Sequence, residues 1–308
     1  MLDIVGKRYW FFGLSLLVIV PGLIFLILFG LPLAIDFTGG SLLEVKFASG
    51  NAPTLEDIRG VYAEAGLPDS IVQSSGSDVI IIRSKQIDDV QKAAIVKQMS
   101  EKFNSEITIQ RFESVGASIG QEVTRQAMLA VGAAALAITA YITFAFRKVP
   151  NALRYGISAV IAMFHDILIV VGLEAIVGKV LGWETDALFL TALLTVIGFS
   201  VHDTIVVFDR IRENTNIYRR VPYEQVVNHS IIQTLVRSIN TQLTVMITLI
   251  ALALLGGETT RHFTIILLLG VFSGTYSSIF NAASILVVWE KKDWKNWFRK
   301  SKETTATA

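Results

Sequence analysis

Six apolar runs, each long enough to cross a lipid bilayer, constrain this chain more than any other feature. A hydrocarbon core of about 30 Å requires roughly 20 apolar residues in a helix. The runs cover about 10–33, 128–146, 155–177, 187–208, 239–256 and 263–289. They predict six transmembrane helices, since only helices and closed barrels satisfy their own backbone hydrogen bonds inside lipid.

Composition agrees with an integral membrane protein. Charged residues make up 17% of the chain and hydrophobic residues 52%, whereas soluble domains average about 25% charged residues. The net charge of +1 argues against a nucleic-acid partner. The absence of cysteine excludes disulfides and thiolate metal sites. No Walker A loop and no HExxH motif occurs, so neither an enzyme, a cofactor nor a metal is expected.

The first apolar run is expected to be a retained anchor. It follows Lys7 and Arg8, as the apolar part of a signal peptide would. However, it exceeds the usual 7–15 residues of such a segment and ends in LPLAID, without a small-residue cleavage site.

Lys and Arg residues predict the orientation of the spans. They are concentrated before the first span, between the second and third, between the fourth and fifth, and in the tail. The two short loops on the opposite side carry only Lys179 and Arg261. The positive-inside rule therefore places both termini in the cytoplasm of a multi-pass protein of the cytoplasmic, or inner, membrane.

The segment between the first two spans has the pattern of a soluble domain. SLLEVKF, IVQSS, DVIIIRS and EITIQRFESV alternate as strands, and two amphipathic helices lie among them, the first with Thr54 as its N-cap. The order βαββαβ predicts a ferredoxin-like α+β domain. The predicted organisation is an anchor at 1–33, this extracytoplasmic domain at 34–127, five further spans within 128–289 and a cytoplasmic tail at 290–308.

The domain opens with the motif IDFTGGS. Pro32 and the pair Gly39–Gly40 interrupt helical structure. Asp36 can accept hydrogen bonds from nearby backbone amides as the chain turns into a strand. A structural joint at Asp36, Gly39 and Gly40 is favoured over a chemical role.

The most informative residues are ionisable groups inside spans. Asp166 follows His165 in the third span, Asp203 follows His202 in the fourth, and Arg237 begins the fifth. A charge at the bilayer centre costs roughly 2.5–3.5 kcal/mol on insertion scales and commonly marks an ion or proton path. A proton-transfer role is favoured for Asp203. For Asp166, proton transfer and structural packing stay equally open. For both histidines, packing is favoured. Arg237 can also extend its side chain to the membrane interface.

Helical spacing divides the fourth span into two stripes. Because neighbours on a helix lie 100° apart, His202 and Asp203 are expected to face different directions. One stripe contains Thr191, Thr195, Gly198 and His202; the other contains Val196, Phe199, Ser200, Asp203 and Val207. The charged run Asp209–Arg212 is expected to be a solvated face that also ends this helix.

Four motifs give a family resemblance. IDFTGG at 35–40, FHDI at 164–167 and QTLVRSINTQLT at 233–244 are similar to motifs of the SecD/SecF family of the bacterial Sec export machinery. LLTVIGFSVHDTIVVFDRIREN at 193–214 is the most specific of the four. The resemblance covers nearly the whole chain, and that family belongs to the resistance–nodulation–division (RND) superfamily.

The resemblance implies a function and a set of partners. The chain looks like one RND-type half of six helices that needs SecD as the other half. The family uses the proton-motive force to promote late stages of preprotein export, after SecA and the SecYEG channel have started it. By position, Asp203 would carry protons, with Asp166 on the same path, and Arg237 would tune it. The implied partners are SecD, SecYEG, SecA, YidC, the unfolded preprotein and membrane lipid.

Two alternatives stay open. One is a half-size RND exporter of small molecules or lipids. Such an exporter would be expected to have larger outer domains than the small ferredoxin-like domain predicted here, so this alternative is disfavoured. A translocon scaffold that transports nothing would use Asp203 only structurally and should tolerate Asp203→Asn.

Overall fold

The structure is a computed structural model that describes residues 2–48, 53–75, 79–147, 149 and 152–293. The Ser-Gly-Ser sequence at 75–77 predicts a turn between two strands and lies outside these residues beyond its first residue. Lys148 of the loop between the second and third spans also lies outside them, as does the tail from 294 onward, whose Trp294 and Trp297 are expected at the membrane interface. The chain forms two compact units. The membrane unit comprises Met1–Pro32 with Ala130–Ala308, and the α+β unit comprises Leu33–Leu129.

The elements follow in chain order. They are α1 (Arg8–Phe29), α2 (Ile35–Thr38), β1 (Gly40–Phe47), α3 (Leu55–Glu64), β2 (Ile71–Ser75), β3 (Val79–Ser84), α4 (Asp89–Phe103), β4 (Ile107–Val115), α5 (Ala117–Ala145), α6 (Leu153–Leu181), α7 (Ala187–Ile217), α8 (Tyr223–Leu255), α9 (Glu258–Tyr276) and α10 (Ala283–Lys291). A π-helical segment, Ser277–Ala282, joins α9 to α10 without a break.

The six predicted spans are confirmed within the described residues. α1, α5, α6, α7, α8 and the continuous α9–α10 are each long and apolar enough to cross a membrane. Most of these helices are longer than the apolar runs.

The run Asp209–Arg212 does not end α7, which continues to Ile217, so that expectation was wrong. Ion pairs of 2.5 Å, Asp209–Arg212 and Arg210–Glu213, have the i,i+3 spacing that supports an exposed helix.

Glycines allow the membrane helices to pack closely. A Cβ atom built on Gly22 of α1 would lie 2.8 Å from the Cα of Gly172 in α6. A Cβ on Gly270 of α9 would lie 2.1 Å from a methyl of Val196 in α7. Close approach through small residues is the usual basis of helix association in lipid. These contacts bring α1 close to α6 and α9 close to α7, so that short polar side chains can meet between the helices.

The α+β unit has the predicted βαββαβ order. Its antiparallel sheet has the strand order β2–β3–β1–β4, which is the ferredoxin-like arrangement. The core lies between the sheet and α3 and α4, around Val45, Tyr62, Ile80 and Met99. Burial raises the pKa of the Tyr62 phenol. Thr54 caps α3 as predicted, since its side chain accepts a hydrogen bond from the Asp57 amide at 3.2 Å.

The IDFTGGS motif forms a short helical turn followed by two left-handed residues. α2 contains Asp36 in its single turn, and Gly39 and Gly40 have φ values of 72° and 124°. A Cβ atom on Gly39 would lie 2.7 Å from the Cα of Ala117, and one on Gly40 would lie 2.7 Å from the carbonyl oxygen of Ser84. Both positions therefore require glycine for backbone conformation and for space.

Gly39→Ala is expected to destabilise the α+β unit by about 1–3 kcal/mol, since it adds left-handed strain and a backbone clash. The measurement is hydrogen exchange of the β1 amides in the full-length chain. Gly60→Ala is the matched control, because Gly60 lies inside α3 with open space around it. There the same substitution should stabilise by about 0.5–1 kcal/mol. Equal exchange rates in Gly39→Ala and the unsubstituted chain would contradict a strained joint.

Candidate functional site

Asp166 is the hub of a buried hydrogen-bond network. It lies in α6, is 0% exposed, and uses both carboxylate oxygens. Its Oδ1 accepts hydrogen bonds from Ser273 Oγ at 2.8 Å and from His165 Nδ1 at 3.0 Å. Its Oδ2 accepts from Ser200 Oγ at 2.5 Å and from Ser277 Oγ at 2.6 Å. One carboxylate thus holds α6 to α7, to α9 and to the π-helical segment.

His165 extends this network to α1. With Nδ1–H donating to Asp166, the ring nitrogen Nε2 accepts hydrogen bonds from Ser15 Oγ at 2.9 Å and from Asn281 Nδ2 at 3.0 Å. The ring of Tyr276 stacks on the imidazole with centroids 6.2 Å apart. His165 therefore orients Asp166 from one side, and its buried position agrees with the favoured packing role.

Asp203 has a simpler environment. It lies in α7 with 5% of its surface exposed. Oδ1 accepts a hydrogen bond from Ser238 Oγ of α8 at 2.6 Å, and Oδ2 accepts a short one from Ser278 Oγ. Among the residues that the structure describes, no cation pairs with it. A serine hydroxyl can donate or accept, so both partners can serve a charged or a neutral carboxyl group.

The π-helical segment serves both carboxylates. Ser277 donates to Asp166, and the next residue, Ser278, donates to Asp203. Asn281, one turn further on, donates to His165. π-helical turns inside α-helices are rare and frequently mark functional sites. Here the wider turn lets consecutive residues reach two carboxylates on two different helices.

The two stripes predicted for the fourth span are confirmed. Asp203, Val196, Ser200 and Val207 are buried, whereas His202 lies on the exposed face of α7. The exposed face also carries Thr191 and Gly198, and Thr195 is half-buried. His202 and Asp203 therefore face different directions, as expected.

The structure does not bring Arg237 to Asp203. Arg237 precedes Ser238 in α8 but is exposed. It forms no hydrogen bond or ion pair through its side chain with the residues that the structure describes. Its predicted role as a partner of Asp203 has no contact to support it within this chain, and it stays a prediction.

Sequence reasoning missed most of the carboxylates' partners. Ser15, Ser238 and the sixth-span residues were not singled out. A signal existed, because SGTYSSIFNAAS at 273–284 is an unusual run of small and polar residues inside an apolar span.

Sequence reasoning also missed Glu174 of α6, which is 0% exposed and pairs with His262 of α9. Within the described residues, no three His, Asp or Glu side chains converge as metal ligands would.

Comparison with known proteins identifies the family. The sequence model of the family described as "Protein export membrane protein SecD/SecF, C-terminal" matches residues 95–292. The model described as "SecD/SecF GG Motif" matches residues 24–50. The chain belongs to the SecD/SecF family. The GG-motif match contains the Gly39–Gly40 joint, and the larger SecD/SecF match contains Asp166, Asp203 and all of the π-helical segment.

Individual SecD/SecF relatives agree over nearly the full length. The chain is 56% identical over 301 residues to the protein translocase subunit SecF of Anaerolinea thermophila, covering 97% of this chain and 98% of that protein. It is 49% identical to the protein translocase subunit SecF of Thermobaculum terrenum, covering 99% of each.

Solved SecDF structures share the fold. The crystal structure of SecDF from Thermus thermophilus, described as a translocon-associated membrane protein, matches with a TM-score of 0.81 and 31% identity. A SecDF structure in a super-membrane-facing form matches with a TM-score of 0.68 and 29% identity. Both matches cover more than nine-tenths of this chain but 39% of the SecDF chain.

Proposed function

We propose that this chain is the SecF-type half of a SecD–SecF pair and acts as an auxiliary subunit of the Sec protein translocase. The names of its relatives and the SecDF likeness support this assignment. Because the chain spans 39% of the SecDF chain, a separate SecD would supply the remainder. Lys and Arg in the loops support cytoplasmic termini. SecYEG, SecA, YidC and the unfolded preprotein are the further partners of this proposal.

One observation carries the coupling to the proton-motive force. Asp203 is buried in a span, and within the described part of the chain its side chain is held by two hydroxyls alone. A cation partner would favour the ionised carboxylate strongly, whereas hydroxyls serve either state. When Asp203 is ionised, Ser238 and Ser278 both donate to it. When it is protonated, the carboxyl O–H donates to one of these hydroxyls, which then turns its own proton elsewhere.

Proton binding at Asp203 has a direct route to the rest of the bundle. Loss of the acceptor charge weakens the bond from Ser278, because bonds to charged acceptors are the stronger ones. Ser278 belongs to the same π-helical segment as Ser277, which Asp166 holds in place. We assign Asp166 to positioning that segment while Asp203 changes protonation. Each charge that crosses 100 mV supplies about 2.3 kcal/mol, enough to shift such contacts.

The exposed polar face of α7 and α8 supports a partner half. Polar groups facing lipid are costly, and they normally face protein or a water-filled cavity. His202 and Thr191 on α7, and Arg237 and Thr241 on α8, are nevertheless exposed. A SecD half packed against this face would cover them and would give Arg237 a site beside the carboxylates.

We expect His202→Cys to crosslink to cysteines in the SecD half when both are produced together. The chain has no cysteine of its own, so the added thiol is the only one it contributes. Leu136→Cys is the control, because Leu136 is 75% exposed on α5, a different helix. Products of equal yield from the two positions, or none from His202→Cys across a cysteine scan of SecD, would contradict this interface.

The function itself is tested by preprotein release. Cells that lack both halves are supplied with this chain and a SecD partner, and release is followed with and without an uncoupler. We expect the pair to add a release component that the uncoupler removes. An added component that is insensitive to the uncoupler would favour a scaffold, and efflux of small molecules or lipids without any effect on release would favour an exporter.

A further inference from the structure

α6 carries a second buried carboxylate, Glu174, near the end of the helix that connects to α7. Its side chain is 0% exposed. Its Oε2 lies 3.0 Å from His262 Nε2 of α9, and its Oε1 accepts a longer bond of 3.4 Å from Thr185 Oγ1. An ionisable residue inside a span raises the free energy of membrane insertion, and such residues commonly mark functional sites.

An apolar layer separates this pair from the Asp166 network. Glu174 lies eight residues after Asp166 on α6, which is about 12 Å along the helix axis. Val170 lies on α6 midway between the two carboxylates, and Val196 and Ile266 belong to the same buried apolar cluster; the three side chains are 1%, 0% and 1% exposed. The pair is therefore a separate ionisable site and not an extension of the Asp166 hydrogen-bond network.

Other charged groups near the pair are engaged elsewhere or point away. Lys179 of α6 lies over the ring of Phe29 at 5.0 Å. Asp186 accepts a hydrogen bond from the Phe189 amide at the start of α7. Arg261, next to His262, is exposed. Where the structure describes the side chains, one further charged neighbour is the half-buried Glu184 in the α6–α7 connection.

Thr185 links the pair to the point where the chain leaves the membrane unit. Its backbone N–H donates to the carbonyl oxygen of Pro32 at 2.8 Å, while its hydroxyl donates to Glu174. Pro32 is the last residue of the membrane unit before the α+β unit. Gly178 lets Pro32 approach, since a Cβ there would lie 2.4 Å from Pro32 Cγ.

We propose that Glu174 and His262 form a second proton-binding site, and that its protonation state sets the position of Pro32 through Thr185. When His262 is neutral, its Nε2–H donates to the ionised Glu174 carboxylate and α6 is tied to α9. Acidification adds two protons, one to His262 Nδ1 and one to the Glu174 carboxylate, which gives an imidazolium beside a carboxylic acid. The charged acceptor is then lost, and both the α9 contact and the Thr185 contact weaken. The role in proton coupling, and the placement of this end on the extracytoplasmic side, rest on the proposed function.

The test uses single cysteines in the full-length chain, produced with its SecD partner in spheroplasts. Ile266→Cys reports water entry into the apolar layer, and a membrane-impermeant thiol reagent is applied from outside at neutral and at mildly acidic pH. Leu181→Cys, which is 61% exposed at the same end, corrects for the fall in thiolate at acidic pH.

We expect the corrected labelling of Ile266→Cys to rise several-fold at acidic pH. This rise should disappear with Glu174→Gln and His262→Gln. It should persist with His229→Gln, because His229 lies on α8 and bonds to Gln233 instead. No rise in the unsubstituted pair, or the same rise in both pair variants, would overturn the proposal.

A second readout needs no substitution in the pair. The indole of Trp183 lies against the His262 ring, with centroids 4.7 Å apart. In the full-length chain with its other tryptophans changed to phenylalanine, acidification should quench Trp183 emission as the imidazole becomes charged. Flat emission across that range would overturn the proposal even if the Gln variants fail to fold.

These readouts are independent of export. A pair-dependent labelling response together with normal uncoupler-sensitive release from Asp203→Asn would uphold this site and contradict the proposed role of Asp203. Loss of release from Asp203→Asn with a flat labelling response would do the reverse.

Discussion

Asp203→Asn is expected to assemble with its SecD half and to lose all of the uncoupler-sensitive preprotein release. Asn keeps one acceptor for Ser238 or Ser278 and is nearly the same size. The loss of folding stability should therefore be about 0.6 kcal/mol, the average for a hydrogen bond between membrane helices. The amide cannot exchange a proton, so the coupled step stops.

Asp203→Glu and Ser238→Ala separate the proton from the packing. Glu restores an ionisable group and should regain part of the uncoupler-sensitive release. Ser238→Ala removes one hydroxyl partner, leaves the carboxyl, and should reduce release without abolishing it. Full release from Asp203→Asn, at equal membrane level and equal SecD co-purification, would favour the scaffold interpretation.

Asp166→Ala is expected to have the largest effect on stability. It leaves three serine hydroxyls and the His165 Nδ1–H without their buried acceptor. At roughly 0.6 kcal/mol for each bond, and more for charged acceptors, the loss should reach about 2–4 kcal/mol. Thermal unfolding of the purified chain in detergent measures it.

Two further variants decide what the Asp166 result means. Asp166→Asn retains one acceptor oxygen and should lose about half as much stability. Thr241→Ala is a control, because Thr241 is exposed and the described bond of its hydroxyl is to the Arg237 carbonyl oxygen of its own helix. A loss below about 1 kcal/mol for Asp166→Ala would show that the network does not hold the helices together.

The fold could be predicted because its causes are local in the sequence. Six apolar runs fix six spans, and alternation in SLLEVKF and IVQSS fixes strands whichever way they pair. The ends of α5, α7 and α8 could not be predicted from apolarity. Hydropathy marks the part of a helix inside lipid, whereas backbone hydrogen bonding continues through polar residues such as Asp209–Arg212.

The candidate site was only partly predictable, for a physical reason. Asp166 and Asp203 are visible in the sequence because a carboxylate in an apolar run is rare. Their partners come from helices distant in sequence, as with Ser238 and Ser278, and only tertiary packing selects them. A π-helical turn gives no recognisable spacing of hydrophobic residues in the sequence, so the segment at 277–282 could not be predicted. Arg237 shows the converse, since the family resemblance suggested Asp203 as its partner, and the two side chains form no contact in the described part of the chain.

Glu174 was overlooked because its neighbourhood in sequence is uninformative. GLEAIVGKV places it near the end of a span, where a charge would normally reach water. Its burial depends on His262 and Thr185, which lie 88 and 11 residues away along the chain. Only the packing of α9 against the α6–α7 connection shows that the carboxylate is enclosed.

Proton uptake tests the central claim, that Asp203 exchanges a proton in the working cycle, most directly. The chain and its SecD half are reconstituted in liposomes that contain a pH-sensitive dye, and a pH gradient and a membrane potential are applied. We predict dye acidification with the unsubstituted chain and with Asp203→Glu, and none above protein-free liposomes with Asp203→Asn. Equal acidification with Asp203→Asn and the unsubstituted chain would contradict the account.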